Sequence, residues 1–196
     1  MKTFEEIYDF SSKADGNGIE DHLLCTATKA ELRVFVTHVI TLPPNSRVVE
    51  IGTYTGRSAS VYLQVQKALN LDIHLIDILN WNPEFAASEF WKMIVTSFND
   101  VPFTYHKMPS SLLASTWTRP VDFLYIDGEH ELPGVACDFQ DWPPFVRLGG
   151  ILAAHDSQWP GVKACLDRYI KNAGWTLLDE AERMTIWRNE NHASHF

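Results

Sequence analysis

The sequence predicts an α/β fold in which a doubly wound, mostly parallel sheet of seven strands is covered by helices on both faces. Short apolar runs alternate with helix-like segments from about residue 47 to residue 172. Such alternation is typical of parallel sheets built from strand–helix–strand units. Two further apolar runs near the C-terminal end are separated by only a short turn, which predicts an antiparallel hairpin at one edge of the sheet.

Seven apolar segments have the length of buried strands. They are Arg47–Ile51, Ile73–Ile76, Phe103–His106, Val121–Ile126, Gly150–Ala154, Trp175–Leu178 and Met184–Arg188. Between the first two, Arg57–Leu69 carries apolar residues at helical spacing and predicts a crossover helix. Weaker helical patterns, interrupted by prolines, cover 84–98, 110–116, 131–140 and 160–172.

The first 40 residues stand outside this alternation and predict a helical lid or flank. Thr3 and Glu6 have the spacing of a capping box. A turn at Asp15–Gly18 precedes a second helix from about Thr28 to Ile40. Because 196 residues suffice for one core only, we expect a single domain, residues 1–196, with its sheet in 45–190.

Composition excludes several classes of function. The formal net charge of −9 provides no basic surface for a phosphate backbone, so we expect no nucleic-acid partner. No segment has the apolar length of a signal peptide or membrane span, which predicts a cytoplasmic protein without a membrane partner. The three cysteines are odd in number and lack paired zinc-site spacing, which predicts reduced thiols. A homo-oligomer is neither indicated nor excluded.

The strongest local motif is the glycine-containing turn at residues 50–56, between the first strand and its helix. Gly52 would let a ligand approach the backbone, and the amides at the start of the helix could meet a carboxylate or phosphate. Glu50 would repel a pyrophosphate but suits an ammonium or sulfonium group. A tight turn without a ligand is the alternative interpretation.

Further polar residues follow the other strands at the same edge of the predicted sheet. Asp77 ends the second strand and could accept bonds from two ribose hydroxyls, although a helix cap or solvated loop acid is the alternative. The segment Asp127–His130 follows the fourth strand, and His155 and Asp156 follow the fifth. So many ionisable groups at one rim predict a functional site, although each taken alone could be a capping acid or a hydrogen-bonded histidine.

Together these motifs resemble the class I S-adenosylmethionine-dependent methyltransferases, and more narrowly the small-molecule family labelled type 24, related to the caffeoyl-CoA and catechol O-methyltransferases. The resemblance covers about residues 45–170. VVEIGTYTGRSAS and HLIDILNW resemble the first and second motifs, and VDFLYIDGEHELPGVACDFQDWPPFVRLGGILAAHDS resembles the fourth and fifth. It implies a Rossmann-like core that binds S-adenosylmethionine.

The resemblance also implies roles for individual residues. Glu50, Gly52 and Gly56 would hold the methionine end of the cofactor and Asp77 its ribose. Ser110 would lie near the adenine, although Met108 stands where relatives often have glycine. The full cofactor set is Glu50, Gly52, Thr53, Tyr54, Gly56, Ser58, Asp77, Ile78, Ser110 and Asp127. Asp127 and Asp156 match positions that bind a divalent metal in the metal-dependent relatives, and His155 stands where those enzymes usually carry an acid. The metal candidates are therefore Asp127, His155 and Asp156. The catalytic candidates are Asp127, Glu129, His130 and His155.

We therefore expect a methyltransferase that acts on a small molecule and methylates a hydroxyl oxygen, with N-methylation left open. A metal could activate the acceptor, or His155 or His130 could act as general base without one. A histidine ligand argues against magnesium, which prefers an all-oxygen shell. The alternatives are a non-catalytic cofactor-binding module of the same fold and, less favoured because its glycine fingerprint is absent, a nicotinamide oxidoreductase.

Overall fold

The computed structural model describes residues 2–11, 27–54, 56–78 and 94–191. Its seven strands form one sheet in the order β3-β2-β1-β4-β5-β7-β6. The strands are β1 Arg47–Ile51, β2 Asp72–Ile76, β3 Thr104–His106, β4 Val121–Ile126, β5 Val146–Ala154, β6 Trp175–Ala181 and β7 Met184–Asn189. Strands β1 to β5 pair in parallel, whereas β7 lies antiparallel to both β5 and β6. The predicted doubly wound sheet with its antiparallel edge hairpin is confirmed.

Six helices are described around this sheet. They are α1 Phe4–Ser11, α2 Lys29–Ile40, α3 Arg57–Leu69, α4 Ser110–Ala114, α5 Gly134–Asp141 and α6 Pro160–Cys165. Helix α6 continues as a π-helical turn over Leu166–Ile170. Among the described residues, no helix is long and apolar enough to cross a membrane.

Successive residues of β1 point to opposite faces of the sheet, and each face has its own core. Val48 belongs to a core built with buried residues of α1, α2 and α3. Val49 belongs to a second core built with residues of α5, α6 and the π-helical turn. A parallel sheet buried on both faces favours apolar residues at nearly every position, which is why these strands are mostly apolar in sequence.

The two N-terminal helices pack on the α3 side of the sheet. Thr3 and Glu6 form the predicted capping box at the start of α1, since each backbone amide bonds the other's side chain. A second capping box opens α2, where Thr28 and Glu31 are paired in the same way. Ile7 of α1 and Phe35 of α2 are fully buried, so both helices contribute to the core.

Backbone hydrogen bonds continue past the ends of the central strands and align the loops that follow. The amide of Gly52 donates to Ile76, that of Asp127 to Ile51, and that of His155 to Ile126. The residues that begin the loops after β1, β4 and β5 are therefore fixed at one level of the sheet. The strand order reverses between β1 and β4, and ligands of open parallel sheets bind at such a switch point.

The boundaries of β1, β4 and α3 agree with those predicted, and β5 begins four residues earlier than predicted. The turn at Asp15–Gly18 and most of the helix candidate at 84–98 lie outside the described residues. The candidate at 131–140 begins at Gly134 instead, directly after Pro133, which has no backbone amide to donate within a helix.

Candidate active site

A cavity of about 690 Å³ opens beyond the carboxyl ends of β1, β2 and β4. This volume falls in the range of about 300–1,000 Å³ that small-molecule sites occupy. Most of the residues predicted to bind a cofactor line it: Gly52, Thr53, Tyr54, Ser58, Asp77, Ile78, Ser110 and Asp127. Glu50 and Gly56, the other two, do not.

Gly52 lines the cavity, and the structure also gives it a task that the sequence did not indicate. Its φ is +86°, and a Cβ atom there would lie 2.0 Å from the carbonyl oxygen of Asp127 and 2.7 Å from Cα of Gly128. Glycine is therefore required because the loops after β1 and β4 touch each other.

Asp77 connects the end of β2 to the glycine turn. Its side-chain Oδ2 accepts a hydrogen bond of 2.8 Å from the amide of Tyr54, and its own amide donates to His106. Tyr54 itself has a positive φ of 49°, a conformation uncommon for residues other than glycine. The carboxylate of Asp77 thus helps to stabilise the turn that it adjoins in the cavity.

Glu50 is the first residue of the segment 50–56, and its side chain is fully buried. Its Oε1 accepts a hydrogen bond of 2.9 Å from Ser58, whereas Oε2 accepts no well-aligned hydrogen bond among the described residues, although the hydroxyl of Tyr62 is near enough to lower the pKa of the acid. Burial raises the pKa of Glu50 to about 8, against the effect of the Ser58 bond, and the carboxylates of Asp127 and Asp77 raise it further. A cation bound nearby would stabilise the ionised form.

The buried ring of His155 lies among three carboxylates. Its Nδ1 is 3.2 Å from Oδ1 of Asp127 and 3.3 Å from Oδ2 of Asp156, and its Nε2 is 3.3 Å from Oε2 of Glu31. Burial alone would lower the pKa of His155, but Asp127 above all, then Asp156 and Glu31, raise it well above its usual range. Since His155 does not line the cavity, its position suits a role in holding the three neighbouring carboxylates in place rather than in contacting a ligand.

His130 is the histidine that reaches the cavity. Its Nε2 lies 3.0 Å from Oδ2 of Asp156, and its side chain is 32% exposed. The adjoining Asp156 raises the pKa of His130 above its ordinary value. Trp159 lies beside it, with 5.2 Å between the ring centroids. Nε2 is close to Asp156 but is not aligned for a hydrogen bond with it, so the contact between the two side chains is electrostatic.

Glu129 also lines the cavity, but its carboxylate serves the local backbone. Oε1 accepts hydrogen bonds from the amides of His130 and Glu131, at 3.0 and 3.2 Å. This arrangement shapes the loop that presents His130. A catalytic role for Glu129 stays a prediction.

One group at the rim has the spacing of a metal site. Ligand atoms of Asp127, His130 and Asp156 all lie within 4.8 Å of one another. The two predicted carboxylates are therefore close enough to share an ion, with His130 in the third position; His155 as a ligand stays a prediction, because both of its nitrogens already face carboxylates. The same Asp156 is contacted by Arg183 at 3.2 Å, so the rim carries positive charge of its own.

The sequence interpretation missed two residues that organise this rim. Glu31 of α2 is fully buried and accepts hydrogen bonds at Oε1 from the backbone amide and Nε of Arg183. Arg183, in the turn between β6 and β7, also donates to Oδ1 of Asp156 through Nη1. The capping-box spacing Thr28–Glu31 was the available signal for Glu31, whereas nothing in the local sequence marks Arg183.

Comparison with known proteins identifies the family to which the chain belongs. A family described as "Methyltransferase domain" matches residues 49–157, which is more than half of the chain and contains the glycine turn, Asp77 and the rim. The chain belongs to this methyltransferase family. Its predicted family and fold are thereby confirmed, and the match supports the prediction of a methyltransferase enzyme.

Solved structures of methyltransferases share the fold over nearly the whole chain. S-adenosylhomocysteine-bound PaMTH1 of Podospora anserina matches with a TM-score of 0.67 and 13% identity, covering 97% of this chain and 89% of that one. The O-methyltransferase TomG of Streptomyces achromogenes, solved with S-adenosylmethionine, matches with a TM-score of 0.64 and 15% identity, covering 96% and 91%. CalS11, a TDP-rhamnose 3′-O-methyltransferase of calicheamicin biosynthesis, matches with a TM-score of 0.60 and 13% identity, covering 94% and 93%.

A curated relative is much longer than this methyltransferase-family chain. The uncharacterised protein y4gI of Sinorhizobium fredii is 27% identical over 120 residues, which are 57% of this chain and 13% of that protein. The chain thus spans a small part of the length of this relative.

Proposed function

We propose that the chain transfers a methyl group from S-adenosylmethionine to a hydroxyl oxygen of a small molecule, with His130 as the general base. The observation that carries this proposal is that the glycine turn and Asp77 open into the same cavity as His130. A cofactor held at one end of the cavity would therefore share a space with a residue able to take a proton.

The residues of the β1 and β2 loops fit S-adenosylmethionine. Oε2 of the buried Glu50, which accepts no well-aligned hydrogen bond among the described residues, would favour a positive charge nearby, and the cofactor carries an ammonium and a sulfonium group. Asp77 borders the cavity and could accept hydrogen bonds from ribose hydroxyls. The cofactor supplies an electrophilic methyl carbon when it is bound, and the protein aligns the acceptor oxygen with it.

His130 is suited to remove the acceptor proton because the carboxylate of Asp156, 3.0 Å from its Nε2, favours the protonated imidazole that would result. A carboxylate in this position orients the imidazole and stabilises its charged form. Asp156 is held in turn by Arg183 and His155, at 3.2 and 3.3 Å. The φ of Asp156 is 51°, which is unusual for a residue other than glycine. Such strained backbone conformations are concentrated at functional sites of proteins.

A metal-assisted form of the same reaction is supported by the spacing of Asp127, His130 and Asp156. A divalent ion held there would lower the pKa of an acceptor hydroxyl. The mixed nitrogen and oxygen ligands favour manganese, iron or zinc over magnesium. In that form His130 would be a ligand and could not also act as the base.

The acceptor class is proposed as a small molecule on the basis of charge and neighbours. The net charge of −9 disfavours nucleic acid. CalS11 and TomG are both described as O-methyltransferases. We retain the cytoplasm as the proposed location.

The test is methyl transfer from isotopically labelled S-adenosylmethionine to a panel of phenols, catechols, hydroxy acids and glycosides, read by mass spectrometry. We expect a methyl ether product that His130→Gln reduces at least ~100-fold. His38→Gln is the matched control, because His38 also faces an aspartate, Asp179, at 3.7 Å but does not line the cavity. Loss of activity in EDTA with recovery in manganese would support the metal-assisted form. Cofactor binding without transfer to any acceptor would favour the non-catalytic alternative.

A further inference from the structure

Two neighbouring side chains in the core, Glu50 of β1 and Tyr62 of α3, each keep a polar atom without a well-aligned hydrogen bond. The atoms are Oε2 of Glu50 and the hydroxyl oxygen of Tyr62, and within the described part of the chain neither has an aligned partner. Both side chains are 0% exposed. Buried polar groups are costly unless they are paired, so this pair of atoms calls for an explanation.

The surroundings of Glu50 oppose its ionisation. The charged groups that act on it most strongly are two further carboxylates, those of Asp127 and Asp77. The other titratable groups that interact with it are the phenols of Tyr62, Tyr125 and Tyr105. Burial without a positive charge disfavours a carboxylate, and it raises the pKa of Glu50 to about 8. In the ligand-free protein at pH 7 the side chain is therefore mostly a neutral acid.

The buried acid is adjacent to the cavity through Ser58 and the glycine turn. Ser58 lines the cavity and also donates to Oε1 of Glu50 at 2.9 Å. Ile51 and Gly52, which follow Glu50 in the sequence, line the cavity as well. A cation bound against this turn would act on Glu50 with little water between them, where charges interact strongly. The ionised acid would then offer the hydroxyl of Tyr62 a charged acceptor, which forms a stronger hydrogen bond than a neutral one.

We propose that binding of S-adenosylmethionine makes Glu50 release its proton to the solvent, and that Tyr62 then donates a hydrogen bond to the carboxylate that remains. This inference rests on the proposed function, because it requires a positively charged ligand beside the glycine turn. The O–H bond of the carboxyl group breaks, its electron pair stays on the carboxylate, and the proton goes to the buffer. Cofactor affinity is thereby linked to pH, and it should increase as the pH rises toward 8, where Glu50 ionises without a ligand.

The test is calorimetric titration at pH 7 with S-adenosylhomocysteine, which carries an ammonium group, in phosphate and in Tris. Because the two buffers differ in ionisation enthalpy, the difference between the observed heats gives the number of protons released. The wild type should release about 0.8–1 proton per ligand and should bind ~10-fold more tightly at pH 7 than at pH 6. Glu50→Gln cannot ionise and should release almost none. Asp138→Asn is the matched control, because Asp138 is a second buried acid at the cavity with a pKa raised by burial, to about 6, and its loss should leave the proton release in place.

Tyr62→Phe separates hydrogen bonding from packing, since the ring remains in the core. We expect binding at pH 7 to weaken at least ~5-fold with the proton release retained, because the carboxylate loses a donor. In a Glu50→Gln background the same change should alter affinity less than ~2-fold, because no carboxylate forms. Equal affinities of Tyr62→Phe and the wild type would overturn the role assigned to Tyr62.

Failure of this inference can be told apart from failure of the proposed function. Binding by the wild type without proton release would overturn the inference and leave the cofactor assignment intact. Proton release that persists in Glu50→Gln would assign the proton to another group and would overturn it as well. If Glu50→Gln binds too weakly to titrate, the wild-type proton number and its pH dependence decide. If the folded wild type does not bind S-adenosylhomocysteine, the proposed cofactor fails and the inference fails with it.

Discussion

The Nε2 atom of His155 lies 3.3 Å from Oε2 of Glu31, which precedes it by 124 residues and stands in the first turn of α2. Through this contact the N-terminal helix is tied directly to the rim of the cavity. The same carboxylate receives the backbone amide of Arg183, from the turn between the last two strands. Residues that are far apart in the sequence, in α2, after β5 and between β6 and β7, thus meet at the one buried carboxylate of Glu31.

We expect Glu31→Ala to destabilise the protein by about 3–5 kcal/mol, because the buried His155 loses one of its three neighbouring carboxylates and Arg183 loses the acceptor of its backbone amide and Nε. The measurement is urea unfolding at pH 7. Glu5→Ala is the control, since Glu5 pairs with Lys29 and Arg33 on the exposed surface and should change stability little. Similar losses for the two variants would show that the Glu31 contacts contribute no more than surface ion pairs.

Acid should weaken the same contacts. Burial by itself would raise the pKa of Glu31, but hydrogen bonds from His155 and Thr28 outweigh it and lower the pKa to about 2 from 4.5. A lowered pKa contributes stability above the unfolded value, and this contribution is lost as pH falls from about 4.5 toward 2. Unfolding free energies of wild type and Glu31→Gln, measured from pH 6 to pH 2.5, should therefore converge as the pH falls. Curves that stay parallel would contradict this assignment.

Glu50 should have the opposite pH dependence. Burial raises its folded pKa to about 8, so its favourable contribution is complete below about pH 4.5 and is lost as pH rises through 8. The melting temperature of the ligand-free wild type should fall between pH 6 and pH 9 more than that of Glu50→Gln. The exposed Glu180→Gln serves as the control and should follow the wild type. Identical profiles for wild type and Glu50→Gln would argue against this prediction.

Two glycines with similar backbone angles should respond very differently to substitution. Gly149→Ala introduces strain only, of about 1–2 kcal/mol, because its φ is +76° and a Cβ there would meet no atom within 4 Å. Gly52→Ala adds a collision with the backbone of Asp127, 2.0 Å away, and should cost several kcal/mol more or prevent folding. The melting temperatures of the two variants, measured by thermal unfolding, test this difference in stability. Equal melting temperatures would show that the loops after β1 and β4 can separate at little cost.

The central sheet could be predicted from the sequence because local patterns determine it. Strands β1 and β4 are short, mostly apolar runs that are followed by polar loop residues, and their predicted boundaries agree with the structure. Strand β5 was predicted to begin at Gly150 but begins at Val146, because Arg147 and Gly149 interrupt the apolar pattern in this part of the strand. The pairing of β5 with β4 continues back to Val146 across an irregularity in register, which only the neighbouring strand reveals.

The candidate site could be predicted as a set of residues but not as an arrangement. Residues that follow parallel strands must meet at one edge, which is why Asp77, Asp127 and Asp156 were found. The sequence could not tell which histidine faces the cavity, since that depends on how Glu31 and Arg183 pack around His155. The task of Gly52 was equally hidden, because the backbone that excludes its side chain belongs to Asp127, 75 residues away.

The most direct test of the account is calorimetric titration of the purified protein with S-adenosylhomocysteine. We expect stoichiometric binding that Asp77→Asn weakens at least ~10-fold, because the carboxylate would accept hydrogen bonds from the ribose while the asparagine oxygen can still accept the bond from Tyr54. Asp72→Asn, at the other end of β2, should bind as the wild type does. No binding at millimolar ligand by a protein shown to be folded, or equal affinities for Asp77→Asn and the wild type, would contradict the account.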